Sequence, residues 1–138
     1  MKKYILLSLS LFFAFGLSAQ SEEGDAVKQT LNYYLEGGTN NDFETLKKAF
    51  HEDATMKYIR DGYTAVNALE FFGSRMKPGP AQNRTCEIVY LDVSGDAAHA
   101  RLEIKYEKFM FVDYMNLLKI NGEWKIVSKI FNRVTFDK

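Results

Sequence analysis

Acids, histidines and tyrosines carry whatever proton chemistry this sequence can perform, and their spacing narrows the field to a few positions. The segment FVDYMNLLKINGEWKIVSKIF, residues 111–131, alternates on either side of Asn121-Gly122, the strongest short-range signal for a two-residue hairpin. Such a turn sets Asp113 beside Ile130, Met115 beside Ser128 and Leu117 beside Ile126. Because side chains alternate across a strand, Phe111, Asp113, Met115 and Leu117 then share a face with Trp124, Ser128 and Ile130. Asp113 is the one acid on that mostly apolar face. It is therefore the first candidate for a general acid or base acting on a bound molecule; the alternative is an acid hydrogen-bonded at the sheet's rim.

The same reasoning at Ser94-Gly95 pairs Glu87 with Leu102, Val89 with Ala100 and Leu91 with Ala98, which makes Glu87 a second acid pointing the apolar way. His99, Arg101, Glu103 and Lys105 take the opposite face, together with Ile88 and Tyr90. His99 reads most simply as a surface residue. His51 follows a short helical pattern and precedes Glu52-Asp53; its two readings are a general base and a helix C-cap, and the cap is the simpler. Tyr34, Tyr58 and Phe72, with Met115 and Trp124 beside Asp113, are the candidate walls of a ligand pocket. An aromatic ring with a hydroxyl can hold a ligand both ways.

Three helices and a set of strands must position these residues. Glu22 to Leu35 places Val27, Leu31, Tyr34 and Leu35 at helical spacing, with Gly37-Gly38 as a stop beyond the end. Asn41 and Glu44 stand in capping-box positions before Phe43, Leu46, Ala49 and Phe50; Asn67 and Glu70 repeat the arrangement before Leu69, Phe72 and Met76. The third helix ends before Pro78-Gly79-Pro80. Thr55 to Ile59 suits a strand followed by an Asp61-Gly62 turn. After Pro80 come four β-prone segments, at Arg84 to Val93, Ala97 to Phe109, Phe111 to Ile120 and Glu123 to Phe136. Helices first and an antiparallel meander after them make an α+β order.

The chain opens with Met1-Lys2-Lys3, an apolar run from Tyr4 to Leu17, and the small-residue triplet Leu17-Ser18-Ala19. These are the three parts of a cleavable export signal, so residues 1–19 are expected to leave and residues 20–138 to form one domain, periplasmic or secreted. The run is shorter than a membrane-spanning helix requires, so no membrane anchor is expected after cleavage. With 18 basic against 18 acidic side chains and no Lys/Arg run, the chain lacks the electrostatic footprint of a nucleic-acid binder. Cys86 is the only cysteine; it excludes an intrachain disulfide and reads as a small buried hydrophobe. Two histidines far apart, with no clustered ligands, give no signature for a metal site, and nothing implies a cofactor.

The order of elements, the hairpin segment at 111–131, LNYYLEGGTNNDFETLKKAFHEDATM at 31–56 and GDAAHARLEIKYEKF at 95–109 together resemble the nuclear transport factor 2-like superfamily, in its lumazine-binding branch. The resemblance implies a cone-shaped curved antiparallel sheet wrapped around three N-terminal helices, with an apolar pocket at the wide end. It also implies frequent homodimers through the outer sheet face. Similar cones serve as isomerases, dehydratases, cyclases, carriers and dimerisation modules, so the fold does not choose among them.

Three functions follow from these readings. The leading one is an exported protein that binds a small, partly aromatic or apolar molecule as a carrier, scavenger or sensor. The second is a cofactor-independent isomerase, dehydratase or cyclase in which Asp113 works with Glu87, His51 or a tyrosine. The third is a homodimeric interaction module with a vestigial pocket. An open cavity with clustered polar groups favours catalysis, a greasy one carriage, and a filled cone the module.

Overall fold

The amphipathic stripe of the first helix sets the packing of everything after it. In the computed structural model, which describes the backbone of residues 5–136 and the side chains of residues 20–136, α1 (Ile5–Thr39) buries Val27, Leu31, Tyr34 and Leu35 along one side. The expected export signal, residues 1–19, lies outside the residues whose side chains are described. No helix among the described residues is long and apolar enough to cross a membrane.

Gly37-Gly38 does not stop α1, which continues to Thr39. Both glycines are sites of close approach: a Cβ on Gly37 would overlap the Leu46 backbone, and one on Gly38 would fall 2.5 Å from Arg84 Nη2. The chain turns away two residues beyond Thr39, where Asn41 takes φ 54°. Asp42, not Asn41, then caps α2 (Phe43–Leu46) by accepting from Thr45 N at 3.1 Å. A 3₁₀ turn at Lys47–Ala49 completes the second helical element. The third matches its sequence signal: Asn67 Oδ1 accepts from Glu70 N at 3.0 Å at the start of α3 (Ala68–Arg75).

β1 (Phe50–Ile59) and β2 (Tyr63–Asn67) form a hairpin across Asp61-Gly62, whose φ values of 51° and 129° are left-handed. β2 is an edge strand not foreseen in the sequence. Then follow β3 (Thr85–Ser94), β4 (Ala97–Lys105), β5 (Phe109–Ile120) and β6 (Glu123–Thr135). The six strands lie in the order β2-β1-β6-β5-β4-β3. The sheet is antiparallel except where β1 runs parallel to β6, so the α+β cone closes its meander with one parallel pair.

Two bulges change which side chains face inward. Leu117 pairs with Ile126 as the Asn121-Gly122 turn dictates, but Asn116 pairs with Ser128, leaving Val127 as an extra residue. Beyond it Met115 faces Lys129 and Asp113 faces Phe131, so Lys129 turns inward while Ser128 and Ile130 turn out. In the second hairpin Ser94 pairs with Ala97, which puts the turn at Gly95-Asp96, and Val89 is bulged between Ile88 and Tyr90. Glu87 consequently pairs with Glu103 on the exposed face and Ile88 moves inward. Each bulge also bends its strand and adds to the curvature of the sheet.

The core lies between α1 and the concave face, where Ala100, Leu102, Ile104, Met115, Leu117 and Ile126 are buried. At the Asn121-Gly122 end, Trp124 Nε1 and Lys119 Nζ both donate to Glu23, at 2.7 and 2.6 Å, and Thr30 Oγ1 donates to Trp124 O at 3.1 Å. These bonds fix α1 on the sheet. Cys86 is exposed on the edge strand β3, contrary to the buried reading.

Candidate functional site

The concave face leaves a cavity of about 690 Å³ between α1, α3 and the far half of the sheet. Its walls are aromatic. Tyr34, Tyr58, Phe71, Phe72, Tyr106, Phe109, Phe111 and Phe131 all line it, many in edge-to-face contact, such as Phe111 on Phe131 at 5.5 Å between ring centres. Ile59, Arg60, Arg133 and Thr135 stand around the exposed mouth.

At the floor, three polar side chains meet in an apolar surround. Asp113 is fully buried, and its Oδ2 accepts from Tyr34 Oη at 2.7 Å. Lys129, 4% exposed, places Nζ 2.6 Å from Asp113 Oδ1 in a buried ion pair. The ammonium also lies 4.3 Å from the Phe131 ring centre. Burial pushes the Lys129 amine below its ordinary pKa, and Asp113 pulls only part of the way back. Burial and the neighbouring carboxylate hold the Tyr34 phenol well above its ordinary value, so it stays a donor. Two apolar side chains of similar size would usually fold as well as such an ion pair. Stability therefore does not account for it.

A second polar group forms one wall. Arg84 donates to Thr39 Oγ1 at 2.8 Å, to Tyr106 Oη at 2.8 Å and to Leu35 O at 3.1 Å. Tyr106 Oη donates on to Gln82 Oε1 at 2.9 Å, and Gln82 Nε2 donates to Gly38 O at 2.8 Å. Every one of these partners is neutral, and among the described residues no carboxylate pairs with Arg84. Four cations, Arg60, Arg84, Lys129 and Arg133, line the cavity and no acid does. The Asp113 carboxylate behind Lys129 and Tyr34 offsets one of them.

The candidates read from the sequence distribute unevenly over this site. Tyr34, Tyr58 and Phe72 line the cavity. Asp113 lies directly beneath its floor. Met115 is in the core away from the lining, and Trp124 is at the opposite end of the sheet, bound to Glu23. Glu87 is exposed on the outer face because of the bulge at Val89. His51 is the second residue of β1, neither a helix cap nor near the cavity, and its Nδ1 lies 2.5 Å from Asp53 Oδ1. The three acid-base candidates are thus not brought together. Lys129 and Arg84, which the sequence did not single out, take the places beside Asp113 and on the wall.

Residues 22–132 match the family described as "Putative lumazine-binding". The chain belongs to that family. A Cladobotryum protein named aldolase FrzH is 25% identical over 115 residues, spanning 81% of this chain and 92% of that protein. Among solved structures, an NTF2-like protein of unknown function from Shewanella baltica is 29% identical with a TM-score of 0.76, covering 84% of this chain and 97% of the other. A ketosteroid isomerase-like protein from Erwinia carotovora, 14% identical, superposes with a TM-score of 0.69 over 83% of this chain and 98% of the other. The last shares the fold. The lumazine-binding family of this chain is thus carried on the nuclear transport factor 2-like cone expected from the sequence.

Proposed function

We propose that this chain is an exported protein that binds a small, partly aromatic molecule bearing an acidic or enolic oxygen. The observation that carries the reading is the charge of the cavity: four cationic side chains and no carboxylate among its lining residues, on otherwise aromatic walls. An aromatic body suits the rings of Tyr58, Phe72, Phe111 and Phe131, and an anionic end suits Arg84, whose partners leave its charge uncompensated. The family description supports a small ligand. Export rests on the signal-like residues 1–19, and a homodimer rests on the outer sheet face, where Tyr90 and Ile130 are 55% and 50% exposed.

A second reading, cofactor-independent chemistry on a carbonyl compound, is favoured by the Tyr34–Asp113–Lys129 cluster at the cavity floor. Such a cluster can donate to a developing oxyanion and move a proton without a cofactor. The name of one similar protein, aldolase FrzH, supports chemistry on a carbonyl compound.

Native mass spectrometry on protein purified from its own host tests the main reading. A retained molecule with an acidic group and an aromatic absorbance supports it. A retained cationic or purely aliphatic molecule would contradict it.

A further inference from the structure

Lysines on a protein surface are protonated and solvated; Lys129 is neither exposed nor at the mouth of the cavity. It is the one lysine among the lining residues, 4% exposed, with its Nζ 2.6 Å from Asp113 Oδ1 and over the Phe131 ring. A lysine that only attracted anions would do so from the rim, as Arg60 and Arg133 are placed to do. We propose that Lys129 is an amine nucleophile that captures an aldehyde or ketone carried on an aromatic body and holds it on the cavity floor as an iminium ion paired with Asp113. The inference rests on the reading of this cavity as a small-molecule site and adds the covalent step and the carbonyl class.

The neighbours supply each proton movement. Asp113 Oδ1 takes a proton from the Lys129 ammonium, which frees the amine in a dry surround where burial already disfavours its charge. The nitrogen lone pair forms a bond to the carbonyl carbon, and the carbonyl π electrons move to oxygen. That oxygen takes a proton from nitrogen by way of the Tyr34 hydroxyl, which lines the cavity 2.7 Å from Asp113 Oδ2. The carbon–oxygen bond then breaks as the hydroxyl leaves with the proton held on Asp113, so one water is released. The balance is one ammonium and one carbonyl giving one iminium and one water, with no change of oxidation state. The ionised Asp113 is left beside the new cation. Tyr34 and Asp113 thereby act on both charge and proton, and the aromatic walls orient the carbonyl carbon toward Nζ.

The test incubates purified protein at neutral pH with β-naphthaldehyde and sodium cyanoborohydride, and maps the naphthylmethyl adducts by peptide mass. β-Naphthoate, which fits the same walls but forms no imine, is titrated in parallel and added as a competitor. The expected result is an adduct at Lys129 forming about tenfold faster than at any surface lysine, because surface amines are held protonated. It should be suppressed by β-naphthoate and absent in Lys129→Arg, a variant that keeps a cation beside Asp113. Binding of β-naphthoate with adducts spread evenly over surface lysines would overturn the imine while leaving the cavity reading intact. No binding of either naphthalene compound would overturn both.

Discussion

Asp113 shows how far a single residue can be placed by pattern alone. Its inward direction follows from strand alternation and the Asn121-Gly122 turn, and it is indeed fully buried. Its partner was not legible, because Lys129 faces inward only through one extra residue at Val127, and a bulge has no dependable mark in a single sequence. Glu87 was misplaced for the same reason at Val89. The ion pair makes the first prediction: Asp113→Asn leaves Lys129 buried without a counter-charge and should cost about 3–5 kcal/mol, whereas Asp113→Leu with Lys129→Met should recover most of it. Urea denaturation of the three proteins checks this.

Tyr34 makes the second prediction. Its pKa is raised on folding, so its contribution is fully present below pH 10, the ordinary phenol value, and is lost as pH rises through the folded value. Lys129, lowered on folding, has the opposite sign: stability rises with pH from its folded value up to 10.5. Comparing the protein with Tyr34→Phe leaves Lys129 in both and isolates the phenol. The stability difference between them should be constant near neutrality and shrink at strongly alkaline pH, as read by denaturation at several pH values. A difference that grows with pH would contradict it.

At the scale of elements, signals that rest on local chemistry were readable and those that rest on contact between elements were not. The Asn67 cap and the two-residue turn at Asn121-Gly122 satisfy local backbone groups, so their residue types announce them. Gly37-Gly38 has the composition of a helix stop, yet its purpose is to let α2 and Arg84 approach α1, which only the folded chain reveals. Gly37→Ala should therefore destabilise by about 1–3 kcal/mol through overlap with the Leu46 backbone, despite a propensity gain of about 1 kcal/mol. Gly24→Ala, where a Cβ meets nothing within 4 Å, should stabilise by up to about 1 kcal/mol. Thermal denaturation of the pair checks the close packing: without the overlap at Leu46 both glycines would be ordinary helix-interior positions, and Gly37→Ala would stabilise as Gly24→Ala does.

At the scale of the whole molecule two surfaces matter, the aromatic, cationic cavity and the outer sheet face, where Tyr90 and Ile130 are exposed among charged and polar side chains. The α+β cone was legible from element order, and the parallel β1–β6 pair was not, because β1 follows the second helical element directly and pairs with a strand far along the chain. On the outer face His99 bonds to Asn116 and stacks on Tyr114, as a surface histidine, and Tyr90 stands exposed nearby. If this face joins two copies, sedimentation at micromolar concentration should give a dimer burying about 1,200–2,000 Å², and Tyr90→Glu should give a monomer that still binds in the cavity. Intact mass of protein recovered outside the cytoplasm should begin at Gln20; a species retaining Met1 would contradict export by a cleaved signal.

The cavity's charge decides which end of an aromatic molecule it accepts, and calorimetric titration of β-naphthoate beside β-naphthylmethylamine measures that choice. The two ligands share one aromatic body and differ in the sign of the group they carry. With Arg84 uncompensated on the wall and no acid among the lining residues, the carboxylate should bind at least about tenfold more tightly, a difference of about 1.4 kcal/mol, and Arg84→Gln should narrow the gap. Equal affinity for the amine, or heat from neither ligand, would contradict the account.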